Sequence, residues 1–292
     1  MPTPVARLAV IGGSGLYQMP GLADAQEITV QTPFGPPSDA VTVGRLGETS
    51  VAFLPRHGRG HRLTPTEVPA RANLYALKTL GVEWVLSVSA VGSLREELPP
   101  LDLVIPDQVI DRTKSRPNTF FGEGVVAHVA FAEPFCPHLS GMVATAAAPL
   151  ADVRTHRGGT YVCIEGPQFS TRAESNLYRQ WGCDIIGMTA IPEAKLAREA
   201  ELCYATIACI TDYDVWRTTT EAVTVEMVVA NLARNVANAQ QIIRGVAASL
   251  PASRAGSGCD CAGALANAIM TDPKLITPAM RERYGPLLSK YL

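Results

Sequence analysis

Two carboxylates, Asp212 and Asp214, close the run YATIACITDYDVW (204–216). The residues before them are apolar on both faces of a strand, the mark of a central buried element. A carboxyl group in dry surroundings takes a raised pKa and can give a proton to a leaving group, and a neighbouring carboxylate accepts from an amino group. Two residues apart on an extended backbone, the two side chains point to one face and Tyr213 to the other. The competing reading is a solvated turn closed by an Asx hydrogen bond.

Other polar residues also gather where apolar runs stop. GGSG (12–15) follows LAVI, RHGRGH (56–61) follows VAFLP, SAVGS (89–93) follows WVLSV, IEGPQFSTRAES (164–175) follows TYVC, and MTAIPE (188–193) follows DIIG. Ligands of open α/β sheets bind beyond the carboxyl ends of strands, so these stretches are expected to share one crevice. Glycines 12, 13 and 15 let backbone N–H groups and the Ser14 hydroxyl approach an anion. Arg56 offers a fork for phosphate oxygens, beside His57. Ser89 and Thr189 add neutral donors. The set describes a pocket for one free phosphate. GGSGLYQ lacks the third glycine of a dinucleotide fingerprint, and no GK[ST] follows.

The elements that must hold these groups are seven β-rich runs, at 8–13, 51–56, 84–91, 103–111, 160–166, 184–189 and 204–210. Helical patterns fall between several of them, at 68–80, 172–181 and 192–200. The longest helix begins near Val225, with Val225, Val228, Val229, Leu232, Val236, Ala239, Ile242, Ile243 and Val246 on one buried face. The alternation predicts a single α/β domain over 1–250 with a central sheet flanked by helices. A tail, 251–292, is expected to pack on the body or on a neighbour. With 292 residues, 47% hydrophobic, the chain is long enough for one full core. A net charge of −2 offers no basic surface for nucleic acid. No apolar run reaches the length of a membrane span, and the N-terminal one is too short for a signal peptide, so a cytoplasmic protein is expected. Of the seven cysteines, Cys136, Cys163, Cys183, Cys203 and Cys209 sit in apolar context and read as small core residues. No two CxxC pairs suggest zinc, and no metal is expected. Cys259 and Cys261 would close only a strained local disulfide and stay unassigned.

Taken together, IGGSGLY, TPFGPPSDAV, PRHGRGH, SAVGSLREE, AEPFCP, IEGPQFSTRAES, GMTAIPEAKLARE and ITDYDVW resemble the trimeric purine nucleoside phosphorylase family, over about residues 8–248. They are most similar to its branch acting on 5′-methylthioadenosine. The resemblance implies a mixed, partly barrel-like sheet and a pentosyl transfer. Phosphate, a co-substrate with no cofactor beside it, attacks the anomeric carbon, releasing adenine and 5-methylthioribose 1-phosphate, a step of purine and methionine salvage. It also implies phosphate ligands at Ser14, Arg56, His57, Ser89, Ala90 (through its backbone) and Thr189. Met188 and His61 fall near the sugar and Phe169 near the base. A homotrimer is implied, in which His128 reaches a neighbouring site.

Within that family the TDYD stretch reads as the base end, with Asp212 sharing a proton with N7, Asp214 receiving the 6-amino group, and Tyr213 between them. Members that use 6-oxopurines have an asparagine there and a glutamate where this chain has Ser170. The histidine that reads a 5′-hydroxyl is missing, and Val225, Val228 and Val229 are expected to wall a methylthio group. Ser89 and Val91 replace threonine or cysteine of the branch. This leaves a broader, 6-oxopurine or methylthioinosine specificity as the alternative. A non-catalytic nucleoside binder would have no need of Arg56 and His57.

Overall fold

The computed structural model describes residues 5–13, 16, 19–151, 153–217, 224–254 and 257–292, with the backbone alone at 227 and 232. The strands are β1 (Leu8–Gly12), β2 (Ala23–Ile28), β3 (Val41–Leu46), β4 (Thr49–Pro55), β5 (Trp84–Ser93), β6 (Leu103–Ile105), β7 (Gln108–Arg112), β8 (Thr155–Arg157), β9 (Thr160–Ile164), β10 (Ile185–Gly187) and β11 (Cys203–Asp212). The helices are α1 (Ala70–Thr79), α2 (Pro137–Ala147), α3 (Arg172–Gln180), α4 (Ala190–Glu199), α5 (Val225–Ser249) and α6 (Pro278–Leu288). All the strands join one mixed sheet ordered β2-β3-β4-β1-β5-β10-β9-β7, with β11, β6 and β8 branching from β5. The mixed, helix-flanked sheet matches the expectation, although it does not close into a barrel.

Strand β5 is the trunk. Along one edge it pairs in parallel with β11, from Trp84↔Cys203 to Gly92↔Asp212. On the other edge β1 pairs only as far as Ser87, and antiparallel β10 begins at Gly92. Among the described residues, 88–91 therefore have no strand partner on that edge, and the opening lies in mid-sheet. Apolar alternation sets the two layers. On β11, Tyr204, Ala208 and Ile210 enter one core with α1 and α4, and Cys203, Ala205, Ile207 and Cys209 enter the other with α2 and α5.

Two expectations need correction. The run 103–111 is two strands, β6 and β7, because Pro106 breaks the ladder. Helix α5 does not keep one buried face along its length. Ala239, Ile242, Ile243 and Val246 are buried, but Val225 and Val229 are 63% and 59% exposed and Val228 is half-buried. Each buried Ile or Val contributes about 1.5–3 kcal/mol, so the second half anchors the helix. Beyond it, Leu265, Ile276, Tyr284, Leu287 and Leu288 of the C-terminal segment enter the α1/α4 core.

Candidate active site

The opening in the sheet collects the polar residues from two directions. The parallel strands β4 and β1 deliver Arg56 and Gly13 at their carboxyl ends. Strand β10 arrives from the opposite direction, with Ile185 opposite Ser93 and Ile186 opposite Gly92. Its antiparallel course carries Met188 and Thr189 back toward Ala90 and Ser89. The convergence thus depends on one reversed strand and not on a common carboxyl edge, as the sequence alone suggested.

Arg56 is buried, and its fork is turned inward. Nε donates to Glu193 Oε1 at 2.6 Å and Nη2 to Glu193 Oε2 at 3.1 Å. Nη2 also donates to Ser87 Oγ at 2.6 Å and the Ile11 carbonyl at 3.2 Å, while Nη1 donates to the Val88 carbonyl at 3.0 Å. Against the expectation of a fork around phosphate, the guanidinium is committed to Glu193, with one Nη1 proton left over. Burial opposes the charge, but the Glu193 carboxylate beside it keeps Arg56 more basic than usual. His57 Nδ1 donates to the Leu63 carbonyl at 2.8 Å, and its ring stacks on exposed His61 at 4.3 Å. Burial and the Arg56 charge lower the His57 pKa to about 4, so the ring is neutral with Nε2 free to accept. A cleft is lined by Arg56, His57, Arg116, Met188, Thr189 and Glu193 among others. Ser89 is outside that lining. It is buried on β5, and its hydroxyl has no partner among the described residues.

Strand β11 ends at Asp212, and Asp214 lies past it with φ of +47°. The two aspartates are not successive same-face residues of an extended strand. The Asp214 N–H donates to Asp212 Oδ1 at 2.8 Å, an Asx turn. Thr211 Oγ1 donates to Asp212 Oδ2 at 2.7 Å. Both Asp212 oxygens are thus occupied, whereas Asp214 Oδ2 is buried with no partner among the described residues. The turn is not solvated, since Asp212 and Asp214 are 6% and 8% exposed. Burial raises the Asp212 pKa, and burial raises that of Asp214 to about 6. Helix α5 braces the turn: Asn231 Nδ2 donates to the Thr211 carbonyl at 2.7 Å and Asn235 Nδ2 to the Ile210 carbonyl at 3.2 Å.

Gly92 packs against both carboxyl residues. A Cβ there would stand 2.9 Å from Asp212 Oδ1 and 3.3 Å from the Asp214 Cβ. Gly92→Ala must therefore displace the turn. Its kcat/KM is expected to fall about tenfold, near 1.4 kcal/mol, with an overpacking cost of about 1–3 kcal/mol in stability. Steady-state kinetics beside calorimetry checks this, and an unchanged kcat/KM would detach the turn from the chemistry.

The remaining expected residues lie as follows. Ala90 stands on the open stretch of β5, and Met188 is half-buried, its carbonyl accepting from Arg116 Nη1 at 2.6 Å. Phe169 is exposed, as is His128, and the Ser170 hydroxyl is buried without a partner. Tyr213 turns outward, donating to the Glu96 carbonyl at 3.2 Å, with Arg217 over its ring. Ser14 lies outside the described residues. Sequence reasoning did not single out Arg116, Glu193 or Gly92. Buried Arg116 ties the Ile164 and Glu165 carbonyls to those of Met188 and Ile191. Nothing in SRPNTFF signals that role.

Residues 7–248 match the model of the phosphorylase superfamily. The chain is 56% identical over 294 residues to the S-methyl-5′-thioadenosine phosphorylase of Gloeobacter violaceus, covering 100% of this chain and 98% of that one. It superposes with a TM-score of 0.91 on a methylthioadenosine phosphorylase from an antarctic soil metagenomic library, at 51% identity, covering 98% and 100% of the two chains. A variant adenosine/methylthioadenosine phosphorylase from Schistosoma mansoni, solved in complex with methylthioadenosine, superposes with a TM-score of 0.78 at 38% identity, covering 85% and 93%.

Proposed function

This chain belongs to the phosphorylase superfamily, and on that premise we propose that it cleaves 5′-methylthioadenosine with inorganic phosphate, yielding adenine and 5-methylthioribose 1-phosphate. The observation that carries the reading is the buried Asp214 carboxyl, with a pKa of about 6 and a free Oδ2. It stands beside Gly92 on the strand that also bears Ser89. Three strand residues span about 10 Å, enough for a sugar between a phosphate at Ser89 and a base at Gly92.

The transition state is oxocarbenium-like, with positive charge on the sugar and negative charge on the leaving base. Phosphate on the far face, held by the Ser89 hydroxyl, Thr189 and the last Arg56 proton, with its own O–H donated to the neutral His57 Nε2, stabilises the cation and captures it. Asp214 gives its proton to N7. Asp212 holds the turn and presents negative charge toward the 6-amino group. This exchanges the roles that the sequence suggested, because Asp212 has both oxygens engaged and Asp214 has one free. The free-phosphate chemistry calls for no cofactor. Residues 1–250 carry the reaction, with 251–292 as a buttress.

We further propose a cytoplasmic homotrimer in which His128 completes a neighbouring site. Among the described residues no helix is long and apolar enough to cross a membrane. Exposed Val126 lies beside His128, and Val225 and Val229 add uncovered apolar surface. Sedimentation with activity on dilution tests the assembly, since a fully active monomer would contradict it. Phosphate-dependent release of adenine tests the reaction. Preference for methylthioinosine over methylthioadenosine would replace the assigned substrate.

A further inference from the structure

Four cysteines from three stretches far apart in sequence meet at the end of the sheet remote from the candidate active site. Cys136 caps the N-terminus of α2, Cys203 opens β11, and Cys259 and Cys261 lie in the segment after α5. All four are free thiols, and their sulfurs lie within 4.8 Å of one another. The Cys203 and Cys259 sulfurs are 3.6 Å apart. Four sulfurs about 2.3 Å from a tetrahedral zinc ion stand about 3.8 Å from each other. The cluster already has that size.

The surroundings suit thiolates. The Leu139 N–H points at Cys136 Sγ at 3.5 Å, and Ser257 Oγ lies 3.4 Å from Cys259 Sγ. Four thiolates around one divalent cation leave two net negative charges, and two arginines stand ready to balance them. Arg198 Nη1 is 3.9 Å from Cys261 Sγ, with the same guanidinium bonded to the Glu133 carbonyl. Arg254 is fixed beside Cys203 by Glu83 and the Glu201 carbonyl. Cys136, Cys203 and Cys261 are buried and Cys259 half-buried, the closed environment of a structural site.

We propose that Cys136, Cys203, Cys259 and Cys261 form a tetrathiolate site for one zinc ion, which fastens the C-terminal segment to the sheet. The small-core-residue reading of Cys136 and Cys203 and the unassigned pair at 259 and 261 are thereby joined. The linear sequence hides the site because its ligands come from three places, 136, 203 and the CDC pair at 259 and 261, with no CxxC spacing. Binding exchanges the thiol protons for the metal and releases them to solvent. Asp212 stands at the opposite end of β11, roughly 30 Å away, so the ion acts on stability and not on catalysis.

The test uses the full chain purified with reductant, stripped by a chelator, and titrated with zinc or cobalt alone. We expect one zinc per chain, a higher Tm when loaded, and a cobalt spectrum with thiolate charge-transfer bands that zinc abolishes. Outer-shell changes alone cost zinc sites 10–100-fold in affinity, so Cys259→Ser should weaken zinc by more than about 100-fold, with turnover unchanged. The cobalt titration of the unaltered chain decides even if that variant folds poorly. Four free thiols that take up neither metal would overturn the proposal. So would zinc binding unaffected by Cys259→Ser, or cysteines found paired as disulfides after alkylation in fresh lysate.

Discussion

Replacing Asp214 by asparagine is expected to lower kcat/KM for 5′-methylthioadenosine by about 100-fold or more, the scale of losing a general acid. The carboxyl has a buried, unpartnered Oδ2 and a pKa raised to about 6 by burial. An amide of the same shape keeps the packing against Gly92 and removes the acid proton. The pH profile gives an independent check. The protonated form is the active one, so the rate falls as pH rises through about 6 in the unaltered chain, and that limb should vanish in Asp214→Asn. Stability follows the same sign. The folded pKa lies above the ordinary 3.8, so the contribution of this proton is full below that value and is lost as pH rises through about 6. Asp212→Asn serves as the contrast. Its amide oxygen still accepts from the Asp214 N–H, so its rate loss should be smaller and should appear as weaker discrimination against 6-oxopurines. If Asp212→Asn is the more damaging change and removes the pH limb, the proton belongs to Asp212.

The comparison of the two aspartates shows where sequence reasoning stops. The position of TDYD at the end of a buried strand was legible, because β11 is apolar on both faces along its length. Its geometry was not. Alternation assumes an extended backbone, and a hydrogen bond from Asp214 N–H to Asp212 Oδ1 replaced extension by a turn. The Asx turn was the competing reading, and it formed in a buried setting that local sequence does not encode. The expected phosphate residues were picked out one by one from glycine turns and strand ends. The partner that fixes Arg56 was not, because Glu193 lies 137 residues away and pairs only after α4 packs on the sheet. Strand β2 carries ADAQEI, almost wholly exposed at the sheet edge, with no apolar alternation to reveal it. Val225 and Val229 show the opposite error. Helical spacing placed them on a buried face, but among the described residues that face stays uncovered.

Arg56→Ala is expected to destabilise the folded chain by about 3–5 kcal/mol and to raise the KM for phosphate at least about tenfold. The first effect comes from Glu193. Its carboxylate is 2% exposed and receives Nε and Nη2 of Arg56, with the Tyr204 hydroxyl as its other donor at 2.9 Å. Removing the guanidinium strands a buried charge and frees the Ile11 and Val88 carbonyls that frame the opening in the sheet. A lysine cannot reproduce the fork, so Arg56→Lys should recover little. The second effect comes from the remaining Nη1 proton and the positive charge beside the cleft. Pairing Arg56→Ala with Glu193→Gln separates the two. The double variant removes the stranded charge and should regain much of the lost Tm, because the Tyr204 hydroxyl can still donate to the amide oxygen. Its phosphate KM should stay high, because the cation is still absent. If Tm and phosphate KM recover together, Arg56 is a strut for β4 and β5, and the phosphate is held by His57, Ser89 and Thr189 alone.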